Sequence, residues 1–213
     1  MPAKIIHVPP GGSLEPATLE ELAAALRSCK IAAFPTDTVY GLGTTGLVKA
    51  GLRKIYQIKG RDAMKPLPIL VHSKEEAQRW AQWPPLAEAL ARRFWPGALT
   101  LVLRPTAEGR ILTFPEFPTV ALRVPAHPIA RAILEAAKVP LASSSANLSG
   151  SPAMSSGTET AEIFLDLADF VVDAGSVPGV ESTVVDATGE TPRVLRVGRW
   201  SREEILQSAP QNA

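Results

Sequence analysis

Apolar and polar positions along this chain repeat in two rhythms, and the rhythm changes from segment to segment. Lys4 to Val8 alternates weakly and predicts a first strand. Thr18-Leu19-Glu20-Glu21 has capping-box spacing, a hydroxyl for one free amide and a carboxylate three residues on. It predicts a helix to about Cys29, with Leu19, Leu22, Ala23 and Leu26 on one face. Ile31 to Phe34 predicts a short strand ended by Pro35, and Leu47 to Ile58 a helix. Leu67 to Val71 predicts a buried strand, and Ser73-Lys74-Glu75-Glu76 a second capping box. Pro85 to Phe94 reads as helix, Leu99 to Leu103 and Val120 to Val124 as strands, and Pro128 to Ala137 as helix, with Pro in its first turn.

Farther on, the apolar run Val139 to Ala142 predicts a strand entering the Ser-rich loop Ser143 to Gly150. Thr160 to Leu167 is helical in pattern, Phe170 to Val172, Ser182 to Val185 and Val194 to Val197 are strands, and Ser201 caps a terminal helix. Strands and helices alternate at first, then strands crowd together. That order predicts a mixed α/β sheet covered by helices rather than a purely parallel one. The 213 residues suffice for one domain with a substantial core, and no repeat or linker divides them.

Composition narrows the function classes. The net charge of +1 gives no global attraction to nucleic acid, so any basic patch is local. One cysteine, Cys29, excludes an internal disulfide and a Cys-based zinc site. His7, His72 and His127 lack paired ligand spacing, so no metal site is expected. No signal peptide or membrane span is expected, and the expected compartment is the cytoplasm.

Several segments carry chemistry. Lys59, Arg61 and Lys65 put three cations near one arc, and Ser143-Ser144-Ser145-Ala146-Asn147-Leu148-Ser149-Gly150 supplies hydroxyls and an amide. Cations neutralise phosphate and Ser or Asn donors fix the rest of a nucleotide, so the pair predicts a site for a polyanionic small molecule. Gly41-Leu42-Gly43-Thr44-Thr45-Gly46 matches the dinucleotide fingerprint by letter. Its context is wrong, because Pro35-Thr36-Asp37-Thr38 separates it from the preceding strand. Pro35 to Thr38 itself puts two hydroxyls and a carboxylate at a strand end, which is either a ligand contact or a self-bonded turn. His72 closes a strand, and Arg123 is a cation between Leu122 and Val124 that needs either a carboxylate or an anionic ligand. Glu181-Ser182-Thr183 and the run Arg193, Arg196, Arg199 are polar groups that serve a ligand or solvated strand faces.

Taken in order, the chain resembles the YrdC family of threonylcarbamoyl-AMP synthases. The matching segments are Pro35 to Gly43, Lys59-Gly60-Arg61, Ile69 to His72, Ala121 to Pro125, Ser145 to Gly150 and Glu181 to Asp186. The resemblance implies a twisted mixed sheet flanked by helices, with a deep, positively charged cavity, in one domain over residues 1–213 with a core of about 14–200. It implies synthesis of threonylcarbamoyl-AMP and pyrophosphate from L-threonine, bicarbonate and ATP with Mg²⁺, feeding modification of adenosine 37 in tRNA through downstream transferase proteins. Thr38, His72, Arg123, Ser145 and Ser182 would surround threonine. Arg61, Lys65, Thr119, Asn147, Ser155 and Arg196 would contact ATP, and Lys59 with Arg61 would serve the reaction itself. The site so implied needs no enzyme nucleophile, because the substrate's own carbamate attacks phosphorus.

The chain's end shortly after Arg196 predicts the short, single-domain form. The segment Asp62 to Lys65 is longer than in many relatives, and Val197-Gly198 stands where Pro-Gly is common. A different class of function, an RNA-binding module holding tRNA or double-stranded RNA in the same concavity, is the alternative. For Arg123 the expectation is a ligand-held cation without a protein carboxylate.

Overall fold

The computed structural model describes residues 1–60, 66–148 and 150–210. Arg61, Lys65 and Ser149 lie outside the described residues. The elements in chain order are β1 (Lys4–His7), α1 (Pro16–Arg27), β2 (Ala32–Pro35), β3 (Tyr40–Thr45), α2 (Lys49–Lys59), β4 (Ile69–Leu70), α3 (Lys74–Trp80), α4 (Pro85–Phe94), β5 (Leu99–Leu103), β6 (Val120–Arg123), α5 (Pro128–Ala137), β7 (Leu141–Ser145), α6 (Gly157–Phe164), β8 (Phe170–Asp173), β9 (Thr183–Asp186), β10 (Arg193–Arg196) and α7 (Arg202–Gln207).

The described strands form one ten-stranded sheet in the order β1-β8-β2-β3-β7-β4-β6-β5-β9-β10. Parallel pairs (β1 with β8, β2 with β8, β4 with β6, β5 with β9) mix with antiparallel ones. The mixed sheet expected from the crowding of late strands is therefore present.

Alternation within the strands assigns the faces. On one face, Ala32 and Phe34 of β2, Phe170 and Val172 of β8 and Leu141 of β7 pack under α1 and α5. On the other, Ala33, Leu42, Ile69, Leu101, Leu122 and Val185 pack under α2, α3, α4 and α6. Helix α5 buries Ile129, Ala130, Ile133, Leu134 and Ala137. Each large side chain there stabilises the layer by about 1.5–3 kcal/mol. The first face is covered only over one half of the sheet. From β7 to β10 its residues, including Ala121, Val102 and Val184, line a cavity instead. The site lies where this helical layer stops.

Two local expectations are corrected, and the rejection of the dinucleotide fingerprint gains a physical reason. Helix α1 starts at Pro16 with Glu15 before it and no side-chain cap bond, so Thr18 is an interior residue and not a cap. Pro16 has its φ pre-set and lacks an N–H that would be orphaned there, which suits the first helical position. The glycine-rich segment at 40–45 is the strand β3, buried throughout. A Cβ on Gly41 would lie 2.9 Å from Ser143 Oγ, and one on Gly43 2.7 Å from the Phe34 ring, so close packing explains the glycines without any phosphate. The serine run at 143–145 continues β7 instead of forming a loop. Ser73 caps α3 and Ser201 with Glu204 forms the full capping box of α7, as their spacing predicts. Among the described residues no helix is long and apolar enough to cross a membrane.

Candidate active site

The turn between β2 and β3 supplies the floor of the cavity. Thr36 Oγ1 donates to Val39 O at 2.6 Å and accepts from the Thr38 amide at 3.2 Å, which folds the turn on itself. Thr38 Oγ1 lies 2.9 Å from Thr36 Oγ1. Both threonines are buried.

Arg123, at the end of β6, enters this floor from the sheet. Its Nε donates to Gly97 O at 3.0 Å, Nη1 to Thr38 Oγ1 at 3.0 Å and Nη2 to Asp37 Oδ1 at 2.8 Å. Asp37 Oδ1 also accepts from the Ala126 amide at 2.9 Å. The expectation of a guanidinium without a protein carboxylate is overturned: Asp37 is the partner. Spacing could not reveal it, since the two residues are 86 apart in sequence. With only 6% of Arg123 exposed, burial lowers its pKa; the Asp37 charge and hydrogen bond oppose that, while nearby Arg196 adds to the lowering. Guanidinium basicity is high enough that the side chain stays cationic. Its three bonds to described residues use three of five N–H groups, leaving two for a ligand.

The opposite wall comes from the far strands. Ser182 Oγ lies 2.9 Å from Thr100 Oγ1 of β5. Arg196 of β10 donates to Ser182 O at 2.9 Å and to Ser182 Oγ at 3.2 Å, while its Nη1 meets Glu181 at 3.0 Å. A loop anchor sets this edge: Thr183 Oγ1 donates to Trp200 O and accepts from the Gly198 and Trp200 amides.

A third cluster joins α2 to the end of β7. Lys59 Nζ donates to Ser145 O at 2.5 Å and to Asn147 Oδ1 at 2.6 Å, and Ser145 Oγ donates to the same Oδ1 at 2.7 Å. Asn147 Nδ2 donates to Ser151 O at 2.6 Å, which fixes the amide's orientation. Lys59 is buried although it is a lysine, and the Ser145 carbonyl and the Asn147 amide oxygen meet its ammonium there.

The cavity has a volume of about 290 Å³. Thr38, Arg123, Ser145, Ser182 and Arg196 line it, together with Thr36, Ser143 and Ser144 from the two hydroxyl-rich segments and Thr100, which no sequence pattern points to. Arg123 and Arg196 each have an acidic partner, Asp37 and Glu181. The two cations of the described lining are therefore paired with carboxylates, Glu181 within the lining and Asp37 outside it. His72 sits at the end of β4, its Nδ1 2.6 Å from Glu76, and is not among the lining residues. Thr119, Asn147 and Ser155 are partly buried and also stand outside the lining, Asn147 being tied to it through Ser145. Among the described residues no His, Cys, Asp and Glu side chains gather into a metal-binding group. Glu181 is the one carboxylate among the described lining residues, and it is engaged by Arg196. That donor set does not fit a protein-held Mg²⁺, which normally takes one or two carboxylates together with phosphate oxygens.

Chemically, the described residues of the site offer cationic donors on the floor and edge, hydroxyls between them, and among them no nucleophile–base pair. Such a set can bind and orient an anionic small molecule and stabilise charge on it.

The family model described as "Telomere recombination", the Sua5–YciO–YrdC domain, matches residues 24–198. A threonylcarbamoyl-AMP synthase of Pyrococcus abyssi (strain GE5 / Orsay) is 44% identical over 187 residues, covering 86% of this chain and 54% of that protein. One from Bacillus subtilis (strain 168) is 39% identical over 193 residues, covering 88% of this chain and 55% of its own. The chain thus spans about half the length of these two relatives. The crystal structure of P. abyssi Sua5 complexed with L-threonine superposes with a TM-score of 0.89 at 41% identity, covering 96% of this chain and 60% of that one.

Proposed function

The chain belongs to the Sua5–YciO–YrdC family, and from that premise we propose that it makes threonylcarbamoyl-AMP and pyrophosphate from L-threonine, bicarbonate and ATP. The observation that carries this is Arg123, a buried guanidinium with two uncommitted N–H groups, facing a cavity rimmed by Thr38, Ser145 and Ser182. A planar cation of that kind suits an α-carboxylate, and the hydroxyls suit the amine and hydroxyl of threonine. The threonine-bound relative supports the same reading.

In this reading the threonine amine condenses with bicarbonate to a carbamate and water. A carbamate oxygen then attacks the α-phosphorus of ATP, and pyrophosphate leaves. The chain's residues act by position and charge. Arg123, held by Asp37, orients the carboxylate, and Thr38, Ser145 and Ser182 orient the rest of the amino acid. Lys59 and Arg196 place positive charge toward the phosphates, where Arg61 and Lys65 would join them, with Thr119, Asn147 and Ser155 on the nucleotide. His72 stays in the threonine set by resemblance, its ring fixed by Glu76. Mg²⁺ enters as part of the nucleotide substrate. The product is a nucleotidyl-transfer product suited to a transferase that modifies tRNA in the cytoplasm.

The test is direct. The purified protein, given Mg-ATP, L-threonine and bicarbonate, should release pyrophosphate and form threonylcarbamoyl-AMP only when all three are present. A folded protein that binds RNA and forms no adenylate would favour the RNA-binding alternative instead.

A further inference from the structure

The polarity of one hydroxyl can be worked out from its neighbours. Thr36 Oγ1 has a single proton, and it faces Val39 O at 2.6 Å, a carbonyl that can only accept. Thr36 must therefore accept at its other contacts: the Thr38 amide at 3.2 Å and the Thr38 hydroxyl at 2.9 Å. Its two lone pairs are then filled. The Thr38 proton is committed to Thr36, and one Thr38 lone pair receives Arg123 Nη1 at 3.0 Å. One lone pair remains on a side chain that lines the cavity. Toward a ligand, Thr38 has no proton to give.

From this relay, and resting on the threonine reading above, we propose that Thr36 is a positioning residue which makes Thr38 an acceptor-only group that selects an amino acid bearing a side-chain hydroxyl. Arg123 holds the carboxylate end, and in this proposal the donor to the remaining Thr38 lone pair is the side-chain hydroxyl and not the amine. The comparison with valine separates the two, because both amino acids carry the amine and only threonine the hydroxyl. An isosteric methyl would leave that lone pair unpaired in a buried site. Sites that hydrogen-bond a substrate hydroxyl reject the analogue lacking it far more strongly than a methylene-sized difference allows. Without Thr36, the Thr38 hydroxyl is free to turn and the discrimination weakens. Thr36 touches no ligand in this scheme and acts through Thr38.

The experiment measures calorimetric Kd values for L-threonine and its isostere L-valine on the parent protein, Thr36→Val and Thr36→Ser. The parent should prefer threonine by about 100-fold or more, Thr36→Val should lose at least about tenfold of that ratio, and Thr36→Ser should keep it within about threefold. A merely structural role would shift the melting temperature and weaken both ligands alike, leaving the ratio unchanged; that outcome overturns the proposal. If Thr36→Val does not fold, the parent is titrated with L-serine and L-2-aminobutyrate, which also differ as hydroxyl against methyl. Equal affinities there overturn the proposal, and a serine preference that Thr36→Ser retains supports it. Binding is read without turnover, so a protein that discriminates threonine yet forms no adenylate counts against the synthase reading alone. Failure to bind threonine at all removes both.

Discussion

Replacing Arg123 by leucine tests the floor of the site most sharply, because the pair it breaks is buried. Arg123 has 8% of its side chain exposed and Asp37 17%. Removing one partner of such a pair leaves an uncompensated charge, which costs about 3–5 kcal/mol. Asp37 keeps the Ala126 amide and some solvent, so the lower end applies. About 3 kcal/mol in a chain of this size lowers the melting temperature by roughly 6–12 °C. Replacing both residues by leucine removes the stranded charge, and such apolar replacements of buried pairs are often neutral or stabilising. The double variant should therefore recover most of the loss, giving a coupling of ~2 kcal/mol or more in a double-mutant cycle. Thermal and urea melts of the four proteins measure it, and calorimetry with L-threonine should show binding lost wherever Arg123 is gone. An Arg123→Leu protein as stable as its parent, or a double variant as unstable as the single one, would refute the assignment of Asp37 as partner.

Lys59→Ala should slow pyrophosphate release by an amount worth about 2–4 kcal/mol, the usual effect of deleting a charge-stabilising donor; an unchanged rate at saturating ATP removes it from the machinery. Gly157→Ala should destabilise by roughly 1–3 kcal/mol by overpacking, since its new Cβ would stand 1.9 Å from Asp173 Oδ1 and 2.6 Å from the Tyr40 hydroxyl. His127, whose Nδ1 accepts from the Ile129 amide at the start of α5, has its pKa lowered by burial, partly opposed by Asp37. The unfolded chain then binds a proton more readily than the folded one, so this contribution is complete above about pH 6.5 and is lost as pH falls toward the lower folded value. Melts of the parent against His127→Gln between pH 7.5 and 5 should show the gap narrowing on acidification, and a gap that widens contradicts the sign.

The sequence disclosed most where one residue type has one physical use. Alternation in Leu99 to Leu103 and helical spacing in Pro128 to Ala137 fixed those elements, because each pattern fits a single period and a single buried face. It was ambiguous where two uses share the same letters. Gly41 and Gly43 match a dinucleotide fingerprint whose context argues against it, and what they do serve, the Ser143 hydroxyl and the Phe34 ring, only the folded sheet brings together. The site divided in the same way. A cation between Leu122 and Val124 announced itself because an apolar strand cannot carry it unaided. Asp37, Thr100 and Glu181 did not, since each sits in a segment where a solvated or self-bonded role is equally ordinary. What turns them into parts of a site is the sheet order: β6 lies between β4 and β5, and β9 follows β5, so residues near 37, 100, 123 and 182 meet across one uncovered face. That order follows from crossovers whose geometry no local window records. The chemistry was therefore legible as types of residue, and the partnerships that set their protonation and direction became legible only through topology.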